Sequence, residues 1–162
     1  MSLLQISEPG ATPAPHQRRL GIGIDLGTTH SLGAAMRLSL PECLPNAQGR
    51  TMQPSAVHYG DGALVQTGDA ALQTQASDPL NTITSVKRLM GRSLHDIQSS
   101  QGDWQHYDLV ADDPQQGMVR IRTRAGDKSP VEVSAEIISA FRSQSLCSLA
   151  GDIAGFVITV PA

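Results

Sequence analysis

The clearest pattern in the chain is a regular alternation of aliphatic and small residues over residues 20–26, which read LGIGIDL. Alternation with a period of two is typical of a strand, because successive side chains point to opposite faces of a sheet. A second alternating stretch, residues 31–40, follows after a short polar break at residues 27–30. The pattern therefore predicts a hairpin of two strands joined by a tight turn.

Patterns typical of short strands and of helices follow one another along the rest of the chain. The predicted strands and hairpins are residues 56–65, 118–124 and 153–160. The predicted helices are residues 68–77, 81–91 and 134–150. Asn81 and Gly91 suit the ends of the second helix, and Ser134 suits the start of the third, after an extended piece that begins at Pro130. The apolar run at 153–160 is typical of a buried strand in a parallel sheet.

The predicted turn carries residues suited to binding an oligophosphate. Gly27 has no Cβ and allows a close approach by a ligand, while Thr28 and Thr29 supply hydroxyl and backbone N–H donors. Asp25 precedes the turn and can hold a hydrated Mg²⁺, which usually meets protein through one or two carboxylates. The lysine-bearing P-loop is absent from the chain. The alternative interpretation is an ordinary hairpin in which Asp-Leu-Gly is only turn chemistry.

Composition and charge narrow the class of protein. With 162 residues, 40% of them hydrophobic and 17% charged, the chain is long enough for one globular domain. A net charge of −3 argues against a nucleic-acid partner. Cys43 and Cys147 lie far apart with no CxxC motif, which favours a reducing compartment over a disulfide framework. No segment suits a signal peptide or a membrane span, so we expect a cytoplasmic protein without a membrane partner.

Residues 23–31, GIDLGTTHS, resemble the first phosphate-binding hairpin of the actin-like ATPases. The match is best with the seventy-kilodalton heat-shock (DnaK-type) chaperones, and residues 157–162, VITVPA, resemble a second segment of that family. The resemblance implies that Gly27, Thr28, Thr29 and His30 bind the nucleotide. His30 departs from the asparagine or aromatic residue usual at its position. The opening MSLLQISEPG resembles the members devoted to iron–sulfur cluster assembly.

Lys87 lies in a third matching segment, NTITSVKRLMGR. It falls at the edge of the apolar stripe of the predicted helix, from which an ammonium can reach a ligand on a neighbouring element. The alternative interpretation is a surface lysine whose stem packs along apolar neighbours while its charge stays in water. The family resemblance implies instead that Lys87 is catalytic and aligns the attacking water with the γ-phosphate.

The resemblance also implies the domain organisation. The fold would be α/β, the first part of an actin-like (ribonuclease-H-like) nucleotide-binding domain, truncated. Residues 20–54 and 133–162 would form an incomplete base subdomain, with an outer subdomain inserted at 55–132. Residues 1–19, which are broken by prolines, would form a flexible N-terminal arm.

The function implied by the resemblance is that of an ATP-dependent chaperone that uses ATP and Mg²⁺. In full length it would assist protein folding and iron–sulfur cluster maturation, with a J-domain co-chaperone and an iron–sulfur scaffold client as partners. Half a phosphate cradle should be nearly inert, so the 162-residue chain alone is expected not to hydrolyse ATP. Two alternatives remain open at this point: a sugar or acetate kinase of the same superfamily, and a non-enzymatic remnant or interaction module.

Overall fold

The structure, a computed structural model, describes residues 19–37, 40–100, 104, 106–111, 113, 117–149 and 152–159. The predicted N-terminal arm, apart from Arg19, lies outside the described residues, and so do the last three residues of the VITVPA segment. None of the helices in the described part of the chain combines the length and apolarity that crossing a membrane requires.

Strands and helices alternate along the described residues, and the α/β class predicted from the sequence is confirmed. The strands are β1 (Arg19–Leu26), β2 (His30–Arg37), β3 (Leu40–Cys43), β4 (Met52–Pro54), β5 (Ala56–Tyr59), β6 (Val65–Thr67), β7 (Thr82–Thr84), β8 (Leu109–Val110), β9 (Arg120–Thr123), β10 (Gly126–Lys128) and β11 (Asp152–Ile158). The α-helices are α1 (Asp69–Gln73), α2 (Leu94–Ser99) and α3 (Pro130–Ser148).

The strands form three sheets. In the first sheet the order is β11-β1-β2-β3, with β4 also paired to β2. The second sheet has the order β6-β5-β7, and the third has the order β10-β9-β8. β1 and β2 are antiparallel, so the predicted hairpin is confirmed, and β11 runs parallel to β1 as predicted.

The burial predicted for β11 is wrong. β11 forms the edge of the first sheet as described, and the side chains of Val157 and Ile158 are 69% and 42% exposed. The apolar composition of β11 therefore goes with its parallel pairing to β1, but it does not mean that both faces of the strand are buried.

Helix α3 contributes the largest apolar face to the core. Val133, Ile137 and Phe141 are buried and belong to the same hydrophobic cluster as Ile22 and Ile24 of β1. The helix also contacts β5, β6 and the segment that carries Lys87. A single apolar core therefore holds the first sheet against the elements of the second, which fixes the β1–β2 turn relative to that segment.

The predicted start of α3 at Ser134 is wrong, because the helix begins at Pro130. Ser129 is the N-cap: its hydroxyl accepts the Glu132 N–H over 3.2 Å, and the Glu132 carboxylate accepts the Ser129 N–H over 2.7 Å. This reciprocal capping box, with proline at the first helical position, is a strong helix start. Ser134 instead donates to the Pro130 carbonyl inside the helix.

The helix predicted to begin at Asn81 is also wrong. Thr82–Thr84 form strand β7, which pairs with β5, and Val86–Leu89 form a short 3-10 turn. Ser85 between them has a positive φ of 54°, which breaks any continuous helix. β-branched Thr and Ile favour a strand once a partner strand is present, and here sheet pairing overrides the helical spacing of the apolar residues.

A cluster of polar side chains beside β7 makes the free energy of unfolding depend on pH in the acid range. Asn81 Nδ2 donates to the Asp78 carboxylate over 2.7 Å, and His58 Nε2 and Arg124 Nη1 lie 3.1 and 2.8 Å from it. The hydrogen bond from Asn81, followed by the contact with His58, lowers the pKa of Asp78 from 3.8 to about 2. A carboxylate with a depressed pKa stabilises the folded state above the unfolded pKa of 3.8, and this contribution is lost as the pH falls through about 2.

We therefore expect Asp78→Asn to be less stable than the parent at neutral pH, with the two proteins converging in unfolding free energy as the pH approaches 2. Urea unfolding followed by circular dichroism over this range measures the difference. Asp61→Asn is the control, because the Asp61 side chain is 92% exposed and contacts the same Arg124 over 3.1 Å. This substitution should change the dependence of stability on acid pH less. If the unfolding free energies of the parent and Asp78→Asn fall in parallel as the pH is lowered, the carboxylate of Asp78 does not stabilise the fold as described.

Candidate functional site

The turn between β1 and β2 is the centre of the candidate site. A Cβ built on Gly27 would overlap the carbonyl oxygen of His30, so no residue with a side chain fits this position without moving the backbone. Thr28 is half-buried, and Thr29 and His30 are exposed. Of the residues that the resemblance implies bind the nucleotide, Gly27, Thr28 and Thr29 form the turn and His30 begins β2.

Lys87 reaches this turn from a distant part of the chain. Its Nζ donates to the carbonyl oxygen of Leu26 over 2.6 Å, across a separation of 61 residues. Leu26 is the last residue of β1 and precedes Gly27. An ammonium has three N–H donors, so two remain for another acceptor beside the turn. The side chain is half-buried, whereas the alternative interpretation of a surface lysine expects the charged end to lie in water.

Asp25 lies one strand position before the turn and is exposed. The Thr159 hydroxyl donates to Asp25 Oδ1 over 2.6 Å, and the Thr159 N–H donates to the Ile24 carbonyl over 3.0 Å. Thr159 directly follows β11, so the parallel pairing of β11 with β1 brings it to the carboxylate. The hydroxyl fixes the orientation of the carboxylate and leaves Oδ2 without a hydrogen-bond partner among the described residues.

The donor set suits a hydrated magnesium ion better than a directly bound metal. Within the described residues, no group of three or more His, Cys, Asp or Glu side chains lies close enough to hold a metal ion. Mg²⁺ keeps several waters and needs only one or two carboxylates from protein. The exposed, hydroxyl-oriented carboxylate of Asp25 fits that requirement.

His30 lies at the mouth of a cleft of about 220 Å³ between the turn and the second sheet. Thr29, Ser55, Leu72 and Ser85 also line this cleft. His30 is the first residue of β2 and is exposed. His30 can therefore contribute to a ligand at the turn through its backbone, its ring, or both.

Ser55 and Ser31 belong to the site although the sequence does not single them out. The Ser55 N–H donates to the Thr29 carbonyl over 2.8 Å, and the Ser55 hydroxyl donates to the Gly27 carbonyl over 2.8 Å. The buried Ser31 hydroxyl lies 2.8 Å from the Ser55 hydroxyl. A lone serine carries no motif, and only the pairing of β4 with β2 brings Ser55 to the turn.

The chain was compared with known families and with curated proteins. A family model described as "Hsp70 protein" matches residues 21–162. Proteins described as "Chaperone protein HscA homolog" from Bordetella pertussis and Verminephrobacter eiseniae are each 56% identical over all 162 residues. One from Variovorax paradoxus is 55% identical over the same length.

These alignments cover the whole of this chain but only 25%, 26% and 25% of the three relatives. The chain therefore spans about a quarter of the length of the curated relatives it matches. Every residue of the site described above, from Asp25 to Thr159, lies within the span matched by the family model.

Proposed function

The chain belongs to the Hsp70 family, and from that premise we propose that its β1–β2 turn and Lys87 form one side of an ATP-binding cleft. The chain is a region of the family's actin-like nucleotide-binding domain, and nucleotide binding is expected for that region. The observation that carries the proposal is the contact of the Lys87 ammonium with the Leu26 carbonyl, at the base of a turn that only glycine can begin.

The proposed phosphate ligands are the donors of the turn. Backbone N–H groups and hydroxyls of Thr28 and Thr29 supply several donors within three residues, and the His30 N–H extends the set. Gly27 allows the phosphates to approach the backbone closely. Lys87 places a positive charge beside Leu26, the residue before the turn, with two N–H donors left for a phosphate oxygen.

Asp25 is the proposed holder of the magnesium ion, through coordinated water. Magnesium neutralises charge that develops on the phosphates during phosphoryl transfer. The Thr159 hydroxyl keeps the Asp25 carboxylate in one orientation. Asp25 lies on β1 and Thr159 directly follows the neighbouring parallel strand β11, so the sheet sets the position of the carboxylate relative to the turn.

Hydrolysis in this proposal depends on positioning and on charge. Phosphoryl transfer needs little covalent chemistry from the protein, because an in-line water and stabilised phosphate oxygens supply most of the rate. The turn donors hold the phosphates, and Lys87 orients the attacking water and the γ-phosphate. The bond from Lys87 to Leu26 anchors the ammonium so that its free donors keep a defined direction.

The proposed organisation has a base subdomain and an outer subdomain. Residues 20–54 and 133–162 belong to the base, residues 55–132 form the inserted outer subdomain, and residues 1–19 form the arm. Lys87, on the outer part, then binds the turn of the base part. The two subdomains therefore meet at the phosphates.

For the whole protein we propose an ATP-driven chaperone of the cytoplasm. Its relatives are described as HscA chaperone homologues, and the opening residues resemble the members devoted to iron–sulfur cluster assembly. The proposed partners are a J-domain co-chaperone and an iron–sulfur scaffold client. Nucleic acid and membrane are not among the proposed partners.

The test uses a chimera in which this chain replaces the matching quarter of the Bordetella pertussis relative. Asp25→Asn and Thr29→Ala in this chimera are each expected to slow Mg-dependent ATP hydrolysis about tenfold or more. Loss of one group that positions charge commonly has an effect of at least this size. Single-turnover hydrolysis of radiolabelled ATP gives the rates.

Asp108→Asn is the matched control, because Asp108 directly precedes β8, its side chain is half-exposed, and its ion pair is with Arg122 of the third sheet. Its hydrolysis rate should equal that of the parent chimera. Parent-like rates for both Asp25→Asn and Thr29→Ala would refute the phosphate and magnesium assignments. A parent chimera without hydrolysis would favour the non-enzymatic interpretation.

A further inference from the structure

Ser55 is the single residue between the first and the second sheet. β4 ends at Pro54 and β5 begins at Ala56, so the chain crosses from one sheet to the other at this position. Ser55 is only 3% exposed. Its backbone N–H and its hydroxyl both bind the β1–β2 turn, at the carbonyls of Thr29 and Gly27.

The hydrogen bonds around Ser55 have one consistent direction. A serine hydroxyl carries one hydrogen and can accept two. Because the Ser55 hydrogen is directed to the Gly27 carbonyl, the short contact with Ser31 must be a bond that Ser31 donates. The result is an ordered chain from Ser31 through Ser55 to Gly27. Both serines are buried, with 1% of Ser31 and 3% of Ser55 exposed.

These hydrogen bonds of Ser55 determine the direction in which the backbone N–H groups of the turn point. All described peptide bonds are trans, so the C=O and the following N–H of each peptide point in opposite directions. The Gly27 and Thr29 carbonyls face Ser55. The N–H groups of Thr28 and His30 therefore face away from Ser55, to the opposite side of the turn. Ser55 holds two alternate peptide planes of the turn in one orientation.

We propose that Ser55 is a positioning residue that presents the Thr28 and His30 N–H groups as a pair of donors to an oligophosphate. This inference rests on the proposed function of the turn. Ser55 does not touch the phosphate; it acts through the two carbonyls that it binds. Without the Ser55 hydroxyl, the Gly27–Thr28 peptide loses its buried donor and is free to rotate toward other partners.

The test is an amide-resolved titration of the full 162-residue chain, labelled with ¹⁵N, with millimolar Mg-ATP. In the parent, the Thr28 and His30 amide resonances are expected to shift on binding. Ser55→Ala should weaken ATP binding about tenfold, since one hydrogen bond that orders a site has an effect of that order. The Thr28 amide should also shift without ligand, because its peptide plane is released.

Ser134→Ala is the matched control. Ser134 is equally buried, at 3% exposure, and its hydroxyl also donates to a backbone carbonyl, that of Pro130. It lies inside α3, away from the turn, so its ATP titration should match the parent. Ser31→Ala removes only the donor behind Ser55 and should weaken binding less than Ser55→Ala does.

Ser55→Cys keeps the folded shape if the alanine variant does not fold, because a thiol is a similar group that donates only weakly. Its ATP affinity should lie between the parent and Ser55→Ala. A cysteine or alanine variant that binds Mg-ATP like the parent would overturn the role of Ser55 and leave the proposed function intact. If the parent amides of Thr28 and His30 do not respond to Mg-ATP, the proposed function itself fails.

Discussion

Lys87→Ala in the chimera is expected to slow single-turnover ATP hydrolysis about a hundredfold to a thousandfold, while ATP affinity changes little. Removing one donor aimed at developing charge has an effect of this size. The Lys87 ammonium is anchored on the Leu26 carbonyl, 2.6 Å away, beside the turn that would hold the phosphates. A loss of turnover with unchanged affinity is typical of a group that acts in the transition state.

Arg88→Ala is the control for this variant. Arg88 follows Lys87 in the same 3-10 turn, carries the same charge and is exposed. Its removal should leave hydrolysis at the parent rate and change stability by under about half a kcal/mol, as for an ordinary surface residue. Equal rates of ATP hydrolysis for Lys87→Ala and the parent would mean that Lys87 has a structural role and no catalytic one.

The β1–β2 hairpin could be predicted from the sequence because every determinant is local. Period-two alternation specifies both strands, and glycine is the only residue type that fits position 27 at the start of the turn. The candidate phosphate donors follow within three residues. A pattern that extends over a dozen neighbouring residues needs no knowledge of the rest of the fold.

The segment around Lys87 could not be predicted in the same way. Residues 81–91 place apolar side chains at a helical spacing, yet Thr82–Thr84 pair with β5 as a strand. Which pattern applies depends on a partner strand about 25 residues away, which the local sequence does not reveal. The resemblance assigns a catalytic role to Lys87 independently of its secondary structure, and that role stays a prediction.

The sequence contains the signal for the start of α3, but the prediction placed the N-cap at Ser134 instead of Ser129. Ser129-Pro130-Val131-Glu132 has serine at the N-cap, proline at the first helical position and glutamate three residues after the serine. That order is the signature of a capping box. Ser134 also lies near a glutamate, but it comes one turn too late.

The contacts of Ser55 and Thr159 with the site had no local signal. The Thr159 hydroxyl meets Asp25 across a separation of 134 residues, and the Ser55 hydroxyl meets Gly27 across 28. Both contacts follow from strand register, β11 on β1 and β4 on β2. A one-residue change of either register would turn these side chains to the other face of the sheet, so no single position predicts them.

Gly27→Ala is expected to lower the unfolding free energy by about 3 kcal/mol and to abolish measurable Mg-ATP binding. The added Cβ would overlap the His30 carbonyl oxygen, a backbone atom that cannot rotate away as a side chain could. Forcing atoms into a filled space typically costs 1–3 kcal/mol, at the upper end of about 3 where backbone must move. The displaced His30 peptide also carries one of the proposed phosphate donors, so binding and stability should fall together.

Gly23→Ala tests whether this effect belongs to the turn. Gly23 lies on β1, the strand that precedes the turn, and a Cβ there would meet only the Ala34 carbonyl oxygen at 3.8 Å, an ordinary contact. Alanine restricts the unfolded chain more than glycine does, so Gly23→Ala should raise stability by about 0.5 kcal/mol and leave ATP binding unchanged. In the chimera, urea unfolding should then show stability changes of opposite sign for two glycines four residues apart, and calorimetric titration should show a loss of ATP binding only for Gly27→Ala. Parent-like stability and binding in Gly27→Ala would mean that the turn adopts another conformation, and the assignment of the phosphate site to it would fall.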